Sequence, residues 1–147
     1  MAAEEELLDE ELAIERLNAA LRLQYRSALQ YSLTAASLVG FEVQALGGKL
    51  TGYGDEELDD ARKLIEKIVS FGGTPTTAIA DLRVDRDPSA AVGWLIECER
   101  EAVEALKDAI EPTGREGRSE ALEHLLEHLI MRKQRQIDFL ERAAATP

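Results

Sequence analysis

Residues 12–38 read LAIERLNAALRLQYRSALQYSLTAASL, and their spacing decides the fold. Taken every three or four residues, they give Ile14, Leu17, Leu21, Gln24, Ala28, Tyr31, Ala35 and Leu38. An apolar seam with a period of about 3.5 residues marks a helix packed inside a bundle. Gln24 interrupts that seam. An amide buried without partners costs about 1–3 kcal/mol on mutational scales, so neighbouring helices must answer it.

Working outward, residues 1–9 read as an acidic lead-in and Gly40 as the stop of the first helix. Gly47, Gly48, Gly52 and Gly54 crowd the next stretch. Each costs a helix about 1 kcal/mol relative to Ala, which predicts a loop or broken helix over residues 41–54. Asp55 then reads as the N-cap of a second helix with the seam Glu57, Ala61, Leu64, Ile68, Phe71. Gly72, Gly73 and Pro75 end it, and a connection of about fifteen residues follows.

Asp87-Pro88 starts a third helix, an N-cap followed by proline at the first helical position. Its seam is Val92, Leu95, Glu99, Ala102, Leu106, Ala109. After a tight turn, Ser119 is a candidate cap for a fourth helix with the seam Leu122, Leu126, Leu129, Lys133, Gln136, Leu140, Ala143. Residues 144–147 read as a loose tail. The pattern predicts an all-α chain, a single domain over 1–147. It is a four-helix bundle of two hairpins with one long crossover between helices 2 and 3.

The net charge of −12 speaks against nucleic acid or an anionic membrane as partner. A lone cysteine, Cys98, excludes an internal disulfide framework and fits a reducing compartment. The acidic N-terminus is unlike a signal peptide, and no apolar run approaches the roughly 20 residues of a membrane span. These features predict a soluble, cytoplasmic protein.

All four seams carry polar residues: Gln24; Glu57 with Asp60 one turn on; Glu99; and Lys133 with Gln136. Buried carboxylates do not stand alone, so these residues are expected to form one interior layer. Such a layer can hold two metal ions, as bundles do with a Glu from each of two helices and a Glu-x-x-His pair from each of the other two. It can instead be a salt-bridge and amide network with Lys133 as its cation. The donor set offers three carboxylates, two amides, an ammonium and no imidazole, which favours the network. Glu57, Asp60 and Glu99 remain weak candidates for a single metal.

At these residues the chain resembles the bacterioferritins, within the ferritin-like superfamily. The strings Leu17-Asn18 and Gln30-Tyr31, then Ile65-Glu66-Lys67-Ile68 running to Gly73-Thr74-Pro75, then Ile137-Asp138-Phe139-Leu140-Glu141 carry the resemblance. It spans roughly residues 17–142 and implies a ferritin-like bundle of the iron-storage and iron-homeostasis class. The family's ferroxidase ligands fall on the polar layer: Glu57 and Glu99 are kept, while Gln24, Asp60, Lys133 and Gln136 replace a glutamate, a histidine, a glutamate and a histidine. The implied centre is therefore degenerate, and the chain is not expected to be an active ferroxidase. Leu58 stands where the family has its haem-ligating methionine, so haem is not expected. The family's fifth helix has no counterpart after Ala145. Tyr31 matches a tyrosine beside the family's site. The expected cofactor is none, or iron or another divalent metal held weakly. The expected partner is a second copy of the chain, in a dimer at least, or another ferritin subunit. Alternative readings are a non-metal pseudo-ferritin acting as a structural or interaction protein, and a single-metal oxidase.

His124 and His128, spaced i,i+4 beside Glu123 and Glu127, read as an exposed face rather than a chelate. Cys98 reads as a small apolar filler rather than a redox thiol. Trp94 reads as a subunit anchor or a half-buried core residue.

Overall fold

The computed structural model describes residues 7–145. Four helices form the bundle: α1 (Glu10–Ser37), α2 (Gln44–Ser70), α3 (Pro88–Ile110) and α4 (Gly117–Ala144). A 3-10 turn, Phe41–Val43, links α1 to α2, and the described residues contain no strand. α1 packs on both α2 and α3, α3 packs on α4, and α2 and α4 touch only sparingly.

The helix ends follow local chemistry. Asp9 caps α1 by accepting the Leu12 N–H, and Asp87 caps α3 by accepting from Ala90, with Pro88 at the first helical position. Gly40 and Gly72 close α1 and α2 with φ of +124° and +83°, a region that favours glycine.

The stretch 41–54 is not a loop. α2 begins at Gln44 and runs unbroken through four glycines, so Asp55 lies inside the helix and caps nothing. Tertiary packing overrides propensity here. Leu50 is fully buried in a cluster with Tyr31, Leu38, Val43 and Leu140. Gly54 has a packing role: a Cβ there would stand 3.0 Å from Ser32 Oγ and 3.4 Å from both the Ala28 carbonyl oxygen and Tyr31 Cβ. The missing side chain lets α1 and α2 approach.

Smaller differences concern the ends. α4 starts two residues before Ser119, which is buried rather than capping. Ala143, assigned to the fourth seam, is exposed, and α4 runs through Ala144, part of the expected tail. The end of the acidic lead-in is pinned: the Leu8 N–H donates to Glu116 Oε1 (2.9 Å) and the Asp9 N–H to the Pro112 carbonyl (3.2 Å). Residues 1–6 of the lead-in and 146–147 of the tail lie outside the described residues.

The crossover between α2 and α3 is strapped along α1. The Asn18 side chain accepts from the Thr76 N–H (2.8 Å) and donates to the Thr74 carbonyl (3.1 Å). The Tyr25 hydroxyl donates to the Thr76 carbonyl, and the Ala80 N–H donates to the Arg22 carbonyl. The Gln30 amide makes both bonds to the Arg83 backbone and accepts from Trp94 Nε1 at 2.9 Å. Trp94, half-buried between the Arg26 and Arg83 guanidinium groups, is thus an internal latch. A backbone that carries no regular ladder finds its partners in side chains. The connection passes from beside Ile14 to beside Gln30, so α3 starts at the far end of the bundle.

Two large apolar clusters fill most of the interior, with a small third of Leu23, Ala80 and Ala102 under the crossover. One gathers Leu17, Leu21, Leu64, Ile68, Leu106, Leu122 and Leu126; the other gathers Tyr31, Leu50, Val92, Leu95 and Leu140. In each helix the seam's polar residues fall between them.

Candidate functional site

The layer between the clusters brings together Gln24 and Ser27 from α1, Glu57 from α2, Glu99 from α3 and Lys133 from α4, each at most 1% exposed. Lys133 Nζ sits at its centre, 2.7 Å from Glu57 Oε2, 3.1 Å from Glu99 Oε1 and 3.4 Å from Ser27 Oγ. Ser27 donates to Glu99 Oε1 at 2.7 Å. Gln24 Nε2 donates both to Glu57 Oε2 and to the Glu57 carbonyl. The Gln24 N–H group is thereby answered by α2, while its Oε1 has no partner among the described residues.

Asp60 is buried beside the layer but turns elsewhere. Its Oδ1 accepts from Arg132 Nη1 at 2.7 Å and from Lys63 at 3.4 Å. The α4 pair also divides: Lys133 joins the carboxylates, whereas Gln136 Oε1 meets the Tyr31 hydroxyl at 3.5 Å. Tyr31 is fully buried, and burial with Glu99 and Glu57 nearby pushes its hydroxyl well above the usual range.

Sequence reasoning missed Ser27 and Arg132. Ser27 lies three residues after Gln24 on the same face, a spacing that could have exposed it. Arg132 precedes Lys133 and looks like surface charge, so nothing local distinguishes it. Cys98 is buried, and burial pushes its thiol up to about 11. It is therefore almost entirely a thiol at neutral pH, not a nucleophilic thiolate. His124 and His128 are both exposed.

Within the layer two carboxylates face one ammonium. Burial alone would lower the Lys133 pKa, but Glu57 and Glu99 outweigh it and raise it. Burial, followed by repulsion from Glu57, lifts Glu99 to about 7 against the pull of Lys133. Asp60 is also raised, chiefly by burial, with Arg132 opposing.

Glu99 holds its proton more tightly folded than unfolded. Its contribution to stability is therefore fully present below about pH 4.5 and lost as pH rises through about 7. Glu99→Gln removes this dependence. The stability of the variant relative to wild type is expected to rise from pH 5 to pH 8, by about 1 kcal/mol per pH unit at the steepest. Urea unfolding at four pH values reads this directly; parallel curves for the two proteins would contradict it.

The donor set does not fit a two-metal centre. An ammonium lies between the two carboxylates where a bridged cation would need to be, and it repels divalent ions. Gln24 spends its N–H group on Glu57, and Asp60 is held by Arg132. Glu57 Oε1, Glu99 Oε2, Gln24 Oε1, Asp60 Oδ2 and Gln136 Nε2 have no protein partner among the described residues. Nowhere among those residues do three His, Cys, Asp or Glu side chains converge as a metal site.

The ferritin-like domain family model matches residues 14–146, and the chain belongs to that family. A ferritin-like, diiron-carboxylate protein from Bacillus anthracis str. Ames superposes with a TM-score of 0.86 at 26% identity, covering 93% of this chain and 98% of that one. The bacterioferritin of Rhodobacter capsulatus, described with a metal-free dinuclear site and a haem iron, superposes with a TM-score of 0.78 at 24% identity, covering 90% and 82%. The latter likeness is one of fold. No curated protein matches the chain.

Proposed function

We propose that this chain is a bacterioferritin-like subunit of the iron-storage and iron-homeostasis class whose ferroxidase centre has been replaced by a Glu57–Lys133–Glu99 ion cluster. The observation that carries this reading is the Lys133 ammonium within 2.7 and 3.1 Å of the two retained glutamates. The family supplies the iron-storage class; the donor set argues that this chain does not itself oxidise ferrous iron. A non-metal pseudo-ferritin with a structural role is the second reading, favoured by the full burial of that cluster. A single-metal oxidase on Glu57, Asp60 and Glu99 is disfavoured, because Asp60 Oδ1 is held by Arg132 and the Lys133 ammonium occupies the space between the other two carboxylates.

Anaerobic titration of the metal-free protein with ferrous iron, followed by air, tests the reading. We expect no stoichiometric binding in the layer and no fast oxidation. Two ions per subunit with rapid ferric absorbance would overturn it.

The same reading makes the chain a homo-oligomer, a dimer at least. Exposed Leu29, Leu58 and Ile79 rim an apolar groove of about 390 Å³ on the α1–α2 face, next to Tyr25 and Ala28. Scattered apolar residues are ordinary on a surface, but a contiguous groove suits a partner. We assign it to a second copy. Leu58→Glu is expected to shift the light-scattering mass toward the monomer at micromolar concentration; an unchanged mass would place the interface elsewhere. No haem is proposed at this face, Leu58 offering no ligand atom. Among the described residues, no helix is long and apolar enough to cross a membrane.

A further inference from the structure

The sparse contact between α2 and α4 leaves a groove of about 620 Å³, with Lys63, Glu66 and Lys67 on one wall and His124, His128 and Arg132 on the other. The two imidazoles are not merely neighbours on an exposed face. Their Nε2 atoms point at each other 3.2 Å apart, with the rings nearly perpendicular at 83°. At that separation one Nε2 must bring a lone pair to the other's N–H. A metal ion about 2.1 Å from both nitrogens would see them at an angle of about 100°, between the cis angles of square and tetrahedral coordination. The spacing is thus compatible with two ligands of one ion.

We propose that His124 and His128 bind one borderline divalent transition-metal ion, of the copper, nickel or zinc class, at the mouth of this groove. The imidazole pair selects that class over hard cations such as magnesium or calcium. Binding needs a tautomer shift and a turn of the rings: the N–H shared between the Nε2 atoms moves to Nδ1, and both Nε2 lone pairs swing off the N···N line to the ion without net proton loss. Of the nearby positive charges, Lys67 lies on the opposite wall and the other two are drawn to a carboxylate. Arg132 and Lys63 are held by Asp60, at 2.7 and 3.4 Å. Glu66, Glu123 and Glu127 add negative charge to the surroundings. The site has no third protein ligand among the described residues, so water completes the coordination and leaves positions open to exchange. It lies on side chains that the buried ion cluster does not use, and it stands or falls independently of that cluster.

The test uses the full chain and cupric chloride alone at pH 7.5, followed by calorimetry and electron paramagnetic resonance. One equivalent is expected, with coupling from two imidazole nitrogens. The paired change Glu123→His with His124→Glu keeps the composition but sets the histidines five residues apart on different faces. It is expected to weaken binding at least tenfold, as is His124→Ala, while circular dichroism stays unchanged. Equal affinity in the paired variant, a spectrum without two imidazoles, or no binding by the wild type would each overturn the proposal.

Discussion

Lys133→Met is expected to destabilise the bundle by about 3–5 kcal/mol at pH 8, the usual cost of removing one partner from a buried ion pair. The methionine fills most of the lysine's volume, so the loss is electrostatic rather than a cavity. Glu57 and Glu99, both buried and hydrogen-bonded to Lys133, would then face each other without a cation. They can escape only by taking up protons, which is costly at pH 8 and easier at pH 6. The loss should therefore shrink as pH falls, whereas a simple packing defect would cost the same at both pH values. Two further changes, Glu57→Gln and Glu99→Gln, should recover most of the stability, because a neutral layer needs no counter-ion. Urea unfolding of the single and triple variants at pH 6 and pH 8 decides it. A loss below about 1 kcal/mol at pH 8 would mean that Lys133 is not the cation holding the layer.

The four helices were legible because each buried stripe repeats every three or four residues, and the polar layer because its members break those stripes. Gln24, Glu57, Glu99 and Lys133 could be named before any coordinate, since a polar residue in a buried seam has to be answered. The glycines of 47–54 misled because helix propensity is a local quantity. The reason α2 tolerates Gly54 is the approach of α1 across the bundle, which no neighbouring residue announces. The fate of Asp60 was hidden for a related reason. Sequence spacing places it one turn from Glu57, but its Oδ1 binds Arg132 of α4 and Lys63 of its own helix. The strap along α1 was hidden altogether. Asn18 and Gln30 look like ordinary polar positions until the crossover backbone lies against them.

If the layer occupies the place of a lost metal centre, putting ligands back should make the fold respond to metal. In the double variant Lys133→Glu with Gln136→His, the central ammonium becomes a third carboxylate beside Glu57 and Glu99, and an imidazole enters one turn away. Without metal, three buried carboxylates must share protons, so this variant should be less stable than wild type at pH 7. Ferrous ion added anaerobically should restore it. At one hundred times its dissociation constant, an ion that binds only the folded state contributes about 2.7 kcal/mol. The rise in melting temperature should appear in the double variant and be absent in wild type once His124→Ala silences the surface pair in both. The recovery should be partial, because Gln24 is still an amide and Asp60 is still held by Arg132. Adding Gln24→Glu and Asp60→His should deepen it. A folded double variant whose melting temperature ignores ferrous ion would show that the layer no longer has the geometry to hold a metal. The pseudo-ferritin reading, with the cluster serving structure alone, would then be the better account.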